Sequence, residues 1–225
     1  KWFSARKLTL FSLGAFFVGA VASAVAPSFP VALAGRAVQG IGTGLVLPIM
    51  FAMVLEVIPP HKIGAAMGTN ALVIMFAPAI GPTLAGALIG AGSWRLVFAN
   101  FAVIALVGII FAWKFEVNPY KLTRPSIDAP SVALSVVGFG GIVLGAGMAS
   151  SCGWASPIVL GGLVAGLVCL ALYVRRQLSM EVPVIDMRIF SHQGFRVGAV
   201  CMMVNFGITL SAMYILPQFY QNGML

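Results

Sequence analysis

Long apolar stretches separated by short polar segments run along the whole chain. A membrane-spanning helix needs about 20 mostly apolar residues, and seven stretches are close to that length or longer. The pattern therefore predicts seven spans, at residues 8–26, 31–55, 63–91, 96–115, 129–149, 157–174 and 197–217. The third stretch is long enough to tilt in the bilayer or to extend beyond it.

The composition agrees with this pattern. Of the 225 residues, 60% are hydrophobic and 8% are charged, whereas a soluble domain carries about a quarter charged residues. We therefore expect an all-α polytopic membrane protein. The chain has no initiator Met and no secretory signal, and it ends just past an apolar stretch, so we expect a fragment of a longer protein.

The basic residues predict the orientation of the spans. Loops alternate between the two sides of a membrane, and 11 of the 13 basic residues fall in alternate loops. An excess of Lys and Arg marks the cytoplasmic side. The net charge of +8 follows from this topology, and no basic patch with interleaved aromatic residues indicates nucleic-acid binding. The 11 residues are Lys1, Arg6, Lys7, Lys62, Lys114, Lys121, Arg124, Arg175, Arg176, Arg188 and Arg196.

Arg36 is the one charged residue deep in a predicted span. An Arg in hydrocarbon costs at least about 2.5–3.5 kcal/mol, so it needs a partner or a water-filled cavity. Arg36, Gln39, Gly40 and Thr43 recur at helical spacing, which predicts a polar stripe that faces the protein interior. Gly40 and Gly44 would form a small pair on the same side. Alternatively, Arg36 lies near the outer interface and its side chain extends to the lipid headgroups.

The five acidic residues lie in the cytoplasmic loops or at the ends of the predicted spans. No carboxylate is therefore expected at mid-membrane depth in this chain. The five are Glu56, Glu116, Asp128, Glu181 and Asp186.

Residues 77–86 form a stretch of small residues and prolines inside the third span. Two prolines would break or kink a soluble helix, but neighbouring helices make them tolerable in a membrane span. Small residues and prolines recur at four-residue intervals, which predicts a smooth helix face for close approach of another helix. The alternative is generic packing of small residues. The positions are Ala77, Pro78, Gly81, Pro82, Ala85 and Gly86.

These motifs resemble those of one transporter family. Gly81-Pro82-x-x-Ala85-Gly86 resembles the antiporter motif on the fifth helix of major facilitator superfamily exporters, with Ala77 and Ala85 where Gly is usual. Arg36-x-x-Gln39-Gly40 resembles the fourth-helix motif, in which the Arg is associated with proton movement. Arg6-Lys7 resembles the end of the motif between the second and third helices.

Three further segments resemble the same family: residues 94–100 at the entry to the sixth helix, residues 183–190, and residues 216–222. The last two are similar to segments of the fourteen-helix drug:proton antiporter branch (EmrB/QacA-like). The chain would then cover helices three to nine. Residues 1–115 would complete the N-terminal bundle, residues 116–176 would hold a cytoplasmic linker and an extra helix pair, and residues 177–225 would begin the C-terminal bundle.

The resemblance implies proton-coupled efflux of amphiphilic small molecules by alternating access, in the inner (plasma) membrane. The proton-binding carboxylate would lie on the first helix, outside this chain, and Arg36 would tune its pKa. Asn205 and Thr209, one turn apart, are candidates to line the cavity, although hydrogen bonding between helices is an equal alternative. A periplasmic adaptor and an outer-membrane channel stay open as partners.

Other classes of function have less support in the sequence. No phosphate-binding loop, metal-ligand spacing or catalytic constellation is present, so we expect neither an enzyme nor a cofactor or metal. Protons, the lipid bilayer and an amphiphilic substrate are the expected partners, without nucleic acid. The alternatives are an uptake symporter of the same superfamily and a receptor or scaffold that has kept the fold and lost transport.

Overall fold

The computed structural model describes residues 3–118, 128–181 and 183–223. Within those ranges, seven helices are long and apolar enough to cross a membrane, which confirms the seven predicted spans. Lys1, Lys121 and Arg124 of the predicted cytoplasmic set lie outside the described residues. The helices are α1 (Ala5–Ala24), α2 (Phe29–Val57), α3 (Ile63–Gly90), α4 (Arg95–Phe115), α5 (Ala129–Cys152), α6 (Pro157–Ser179) and α7 (Gln193–Gly223).

Several helices extend further than the apolar pattern predicts, and the polar ends of α6 and α7 show this most clearly. α6 continues to Ser179, five residues past its apolar stretch, and α7 begins at Gln193, four residues before its own. Arg, Gln and Leu are good helix formers, so the backbone of α6 keeps its hydrogen bonding after the side chains become polar. Hydropathy alone finds the part of a helix that suits lipid and misses these polar ends.

Prolines do not end the membrane helices. Pro48 lies inside α2, and Pro78 and Pro82 lie inside α3. In each case one intrahelical hydrogen bond is lost but the helix continues, as expected for a span that neighbouring helices support.

The chain divides into two compact units, residues 1–125 and 126–225. In the first unit α1 packs against both α2 and α4, and α3 makes smaller contacts with α2 and α4. In the second unit α5 packs against α6, and a short 3₁₀ helix (Met187–Ser191) packs against both α6 and α7.

The contact between α1 and α2 depends on small residues. A Cβ atom added to Gly19 would lie 2.5 Å from the carbonyl oxygen of Gly35, and one added to Gly42 would lie 2.5 Å from that of Ser12. Two hydroxyls also cross the interface, because Ser12 donates to the carbonyl of Gly42 and Ser23 to that of Ala32. Close backbone approach and interhelical hydrogen bonds are the usual means of helix association in lipid.

Hydrogen bonds at both ends of α1 and α4 show that these helices are antiparallel. At one end the backbone N–H of Ala5 donates to Oδ1 of Asn118 at 3.0 Å, and Thr9 donates to Glu116 at 2.8 Å. At the other end the guanidinium of Arg95 donates to the carbonyl of Ala26 at 2.8 Å. We call the first of these the inner end, since it carries the basic residues predicted to be cytoplasmic.

Candidate functional site

The candidate site begins with the polar residues of α2. Arg36 lies seven residues after the start of α2, which places it about 10 Å along the helix axis at 1.5 Å per residue. Its guanidinium donates to Oε1 of Gln39 at 2.7 Å and lies 6.0 Å from the ring centroid of Phe98 on α4. The guanidinium is thus held by an amide on one side and an aromatic ring on the other, at a distance typical of a cation–π contact.

Gln39 is almost fully buried, with 1% of its surface exposed. The hydrogen bond from Arg36 occupies Oε1, while Nε2 has no hydrogen-bond partner among the described residues. The backbone of Gln39 passes close to Gly19 of α1, where any larger residue would collide with it. A buried donor without an acceptor is costly, so this amide marks a place that favours an acceptor oxygen.

A cavity of about 480 Å³ opens next to Arg36 at the outer end of the first unit. Its walls are mostly apolar, and the guanidinium is the charged group in its lining. A cavity of this size that is apolar and carries a single cation suits the apolar part of a small molecule together with one acceptor or anionic group. The lining includes Pro27, Phe29, Leu33, Arg36, Trp94 and Phe98.

The structure separates the residues of the predicted polar stripe. Gln39 is buried against α1, whereas Arg36, Gly40 and Thr43 are exposed in the described chain. A Cβ added to Gly40 or Gly44 would meet nothing within 4 Å, so the small residues that contact α1 are Gly35 and Gly42 instead. A helix turns 100° per residue, and the interface with α1 follows every third or fourth residue from Gly35. The role of Gly40 in transport stays a prediction.

The motif on α3 lies on a helix face that the described chain covers only in part. Gly81 and Ala85 are half-buried, and no residue of α3 is fully buried. A Cβ added to Gly81 or Gly86 would meet nothing within 4 Å. The predicted positions Ala77, Pro78, Gly81, Pro82, Ala85 and Gly86 therefore lie on one continuous helix that has room for a partner, and their conformational role stays a prediction.

The remaining predicted residues lie at the inner end of α1 and on α7. Arg6 donates to the carbonyl of Trp113 on α4, and Lys7 is exposed. On α7 the hydroxyl of Thr209 donates to the carbonyl of Asn205 at 2.9 Å, which confirms that they lie one turn apart. Both are exposed in the described chain, and their place in a cavity stays a prediction.

A polar cluster at the end of the α5–α6 pair was missed by sequence reasoning. Asp128 accepts two hydrogen bonds from Arg176, at 2.8 and 2.9 Å. The hydrogen bonds from Arg176, and then that from Ser131, hold the pKa of the Asp128 carboxyl well below its usual range. The sequence did hold a signal, because Asp128 and Arg176 lie at the two ends of consecutive predicted spans that would meet in a hairpin. Both residues were counted only as charges of the cytoplasmic loops.

Comparison with known proteins places this geometry in a family. Residues 1–138, more than half of the chain, match the Major Facilitator Superfamily. The chain belongs to the major facilitator superfamily. It is consequently a multi-pass protein of the plasma membrane and a member of a transporter family, as predicted.

Relatives within the superfamily carry names that refer to resistance and export. The chain is 42% identical to the lincomycin resistance protein LmrB of Bacillus subtilis, over 92% of its own length and 44% of the relative's. It is 28% identical to the multidrug export protein EmrB of Haemophilus influenzae, over 99% of the chain and 44% of that protein. The chain is 24% identical to the fatty acid resistance protein FarB of Neisseria gonorrhoeae, over 97% of the chain and 43% of that protein. The chain spans somewhat under half the length of these curated relatives.

Proposed function

We propose that this chain is part of an exporter that moves amphiphilic small molecules out of the cell in exchange for protons. The observation that carries the proposal is the similarity to LmrB, which extends over 92% of the chain at 42% identity. EmrB and FarB, more distant relatives, are also named for export or resistance. Transporters of this kind work by alternating access, in which two helix bundles move around a site near the bilayer midplane.

Arg36 and Gln39 are the residues that we propose act in proton coupling. The guanidinium of Arg36 is held in position by Gln39 and Phe98 and borders the apolar cavity. A fixed cation lowers the pKa of a nearby carboxyl group by about 1–3 units. We propose that the proton-binding carboxylate is supplied by a part of the protein outside residues 1–225, and that Arg36 sets the pH at which it releases its proton.

The small face of α3 is proposed to be the surface that moves. Its glycines have open space beside them, and the helix continues through both Pro78 and Pro82. A smooth face allows another helix to approach and to slide without interlocking side chains. The motif resembles that of exporters more than that of importers, which favours export over uptake.

The domain arrangement follows the same proposal. Residues 1–115 belong to the N-terminal bundle, residues 116–176 form a linker and an added helix pair, and residues 177–225 lead into the C-terminal bundle. The packing of α5 against α6 supports an added pair that forms a hairpin of its own. The other proposed partners are protons and the lipid bilayer. Whether an adaptor protein binds is left to experiment.

Efflux from cells that make the full-length protein tests the function. Cells are loaded with ethidium or lincomycin, and export is followed with and without a protonophore. Export that stops when the proton gradient collapses supports a proton-driven multidrug exporter. Export that continues contradicts proton coupling. Absence of export of both compounds, together with normal membrane expression, contradicts the multidrug assignment and favours uptake or loss of transport.

A further inference from the structure

Gln177 joins three separate parts of the second unit through one side-chain amide. It lies near the end of α6 and is 1% exposed. Its Nε2 donates to the hydroxyl of Ser131 on α5 at 2.7 Å. Its Oε1 accepts from the backbone N–H groups of Val184 and Ile185, at 2.7 and 3.1 Å.

The network continues on both sides of Gln177. The hydroxyl of Ser131, which is fully buried, donates to the carboxylate of Asp128. That carboxylate is also held by Arg176. A chain of donors and acceptors therefore leads from the start of α5 through Ser131 and Gln177 to the backbone of residues 184 and 185, and each member fixes the orientation of the next.

Residues 184–191, which we call the connecting segment, are also held at a second point. The guanidinium of Arg188 donates to the carbonyl of Leu178 at 3.3 Å. Within the segment, Oδ1 of Asp186 accepts from the backbone N–H of Arg188 at 3.1 Å and so begins the 3₁₀ helix Met187–Ser191. That 3₁₀ helix packs against α6 and α7, and α7 begins two residues after it.

We infer that Gln177 is a positioning residue that fastens the connecting segment to the α5–α6 pair and so holds the start of α7 in place. The backbone N–H groups of an irregular segment have no partner from a helix or strand, and the buried side-chain oxygen of Gln177 accepts from two of them. The α5–α6 pair thereby acts as an anchor for the helix that follows it. The consequence for export rests on the proposed function, but the attachment itself does not.

Backbone hydrogen exchange of the full-length protein measures the attachment directly. In Gln177→Leu the side chain keeps its size, and the amides of Val184 and Ile185 lose their acceptor. Loss of a hydrogen bond of ordinary net strength speeds exchange at these two amides about tenfold. Exchange at Arg188 and Ile189 changes less, since their acceptors lie within the segment itself.

Two further variants make the test specific. Ser179→Ala removes a hydroxyl on the same turn of α6, which among the described residues donates to the carbonyl of Arg176 alone. It should leave exchange at residues 184 and 185 unchanged. Ser131→Ala leaves Gln177 in place but removes the group that orients it, and it should give a smaller acceleration, about threefold. This milder variant keeps the test valid if Gln177→Leu does not fold.

Transport kinetics test whether the attachment serves the cycle. With ethidium as the substrate, Gln177→Leu should lower the maximal rate of export about tenfold while the apparent KM stays the same, because no residue of the proposed binding cavity is changed. Equal exchange at residues 184 and 185 in Gln177→Leu, Ser131→Ala and Ser179→Ala would overturn the attachment. Faster exchange with an unchanged maximal rate would overturn its role in transport. If the wild-type protein exports neither ethidium nor lincomycin, hydrogen exchange still decides the attachment and the proposed function alone fails.

Discussion

Arg36 donates a hydrogen bond of 2.7 Å to Oε1 of Gln39, one turn further along α2, while the other atom of the same amide group, Nε2, has no partner among the described residues. The amide is therefore oriented by the cation, and its free donor is fixed in a buried position beside α1. A charged group whose neighbour is locked in this way keeps a constant position from which to act on an ionisable group.

Replacement of Arg36 should change the pH dependence of export. In Arg36→Ala the nearby carboxyl group loses a cation, so its pKa should rise and the pH of half-maximal export should move upward by about 1–3 units. Arg36→Lys keeps the charge and should shift the midpoint less. The measurement is ethidium efflux as a function of pH in cells with the full-length protein. Arg175→Ala, which removes an exposed Arg of α6, is the control; identical pH profiles for it and for Arg36→Ala would contradict the proposed role.

The contact between α1 and α2 should make Gly19 intolerant of substitution. In Gly19→Ala the new methyl group would lie 2.5 Å from the carbonyl of Gly35, so the helices must separate, at a cost of about 1–3 kcal/mol. Gly14 lies on the same helix, and a Cβ there would meet nothing within 4 Å. The thermal midpoint of the purified full-length protein should therefore fall in Gly19→Ala and stay level in Gly14→Ala. Equal midpoints would mean that the close contact is absent in the folded protein.

The small face of α3 should be needed for movement rather than for folding. In Gly81→Leu the new Cβ meets nothing within 4 Å in the described chain, so we expect expression and thermal stability close to those of the wild type. Export should fall about tenfold. A side chain that favours one conformation of the transporter over the other by roughly 1.4 kcal/mol is enough for such a change. Gly64→Leu, near the start of the same helix and also in open space, is the matched control. Wild-type export by Gly81→Leu would show that the face does not move against another helix.

The ion pair at the end of the α5–α6 pair should affect stability in acid. The pKa of Asp128 is lowered in the folded protein, so its contribution to stability is complete above the unfolded pKa of about 3.9 and is lost as the pH falls toward the lower folded value. The difference in thermal midpoint between the wild type and Asp128→Asn should hence be constant from about pH 5 to pH 8 and shrink below about pH 4. A difference that does not depend on pH would contradict this account.

Some of the fold and part of the candidate site could be predicted from local pattern. Helix number, approximate bounds and the end of each helix that carries positive charge depend on hydropathy and charge, which are properties of consecutive residues. The spacing of Asn205 and Thr209 on one helix likewise follows from the helical repeat. The neighbours of Arg36 on α4, such as Phe98, lie about 60 residues away in the chain, so no local pattern could place them beside it.

The sequence by itself determined that the described part of this chain holds seven helices long and apolar enough to cross a membrane. It also determined where the small and charged residues lie along each helix and to which transporter family the chain belongs. Only the tertiary structure decided which of those residues meet. Gly35 and Gly42, rather than Gly40 and Gly44, face α1, because the contact depends on how each helix is rotated about its axis. Gln177 holds residues 184 and 185 because the chain folds back after α6. Membrane helices are largely apolar on the side that faces lipid and on the side that faces protein, so average hydropathy does not report that rotation. The packing of one backbone against another sets it.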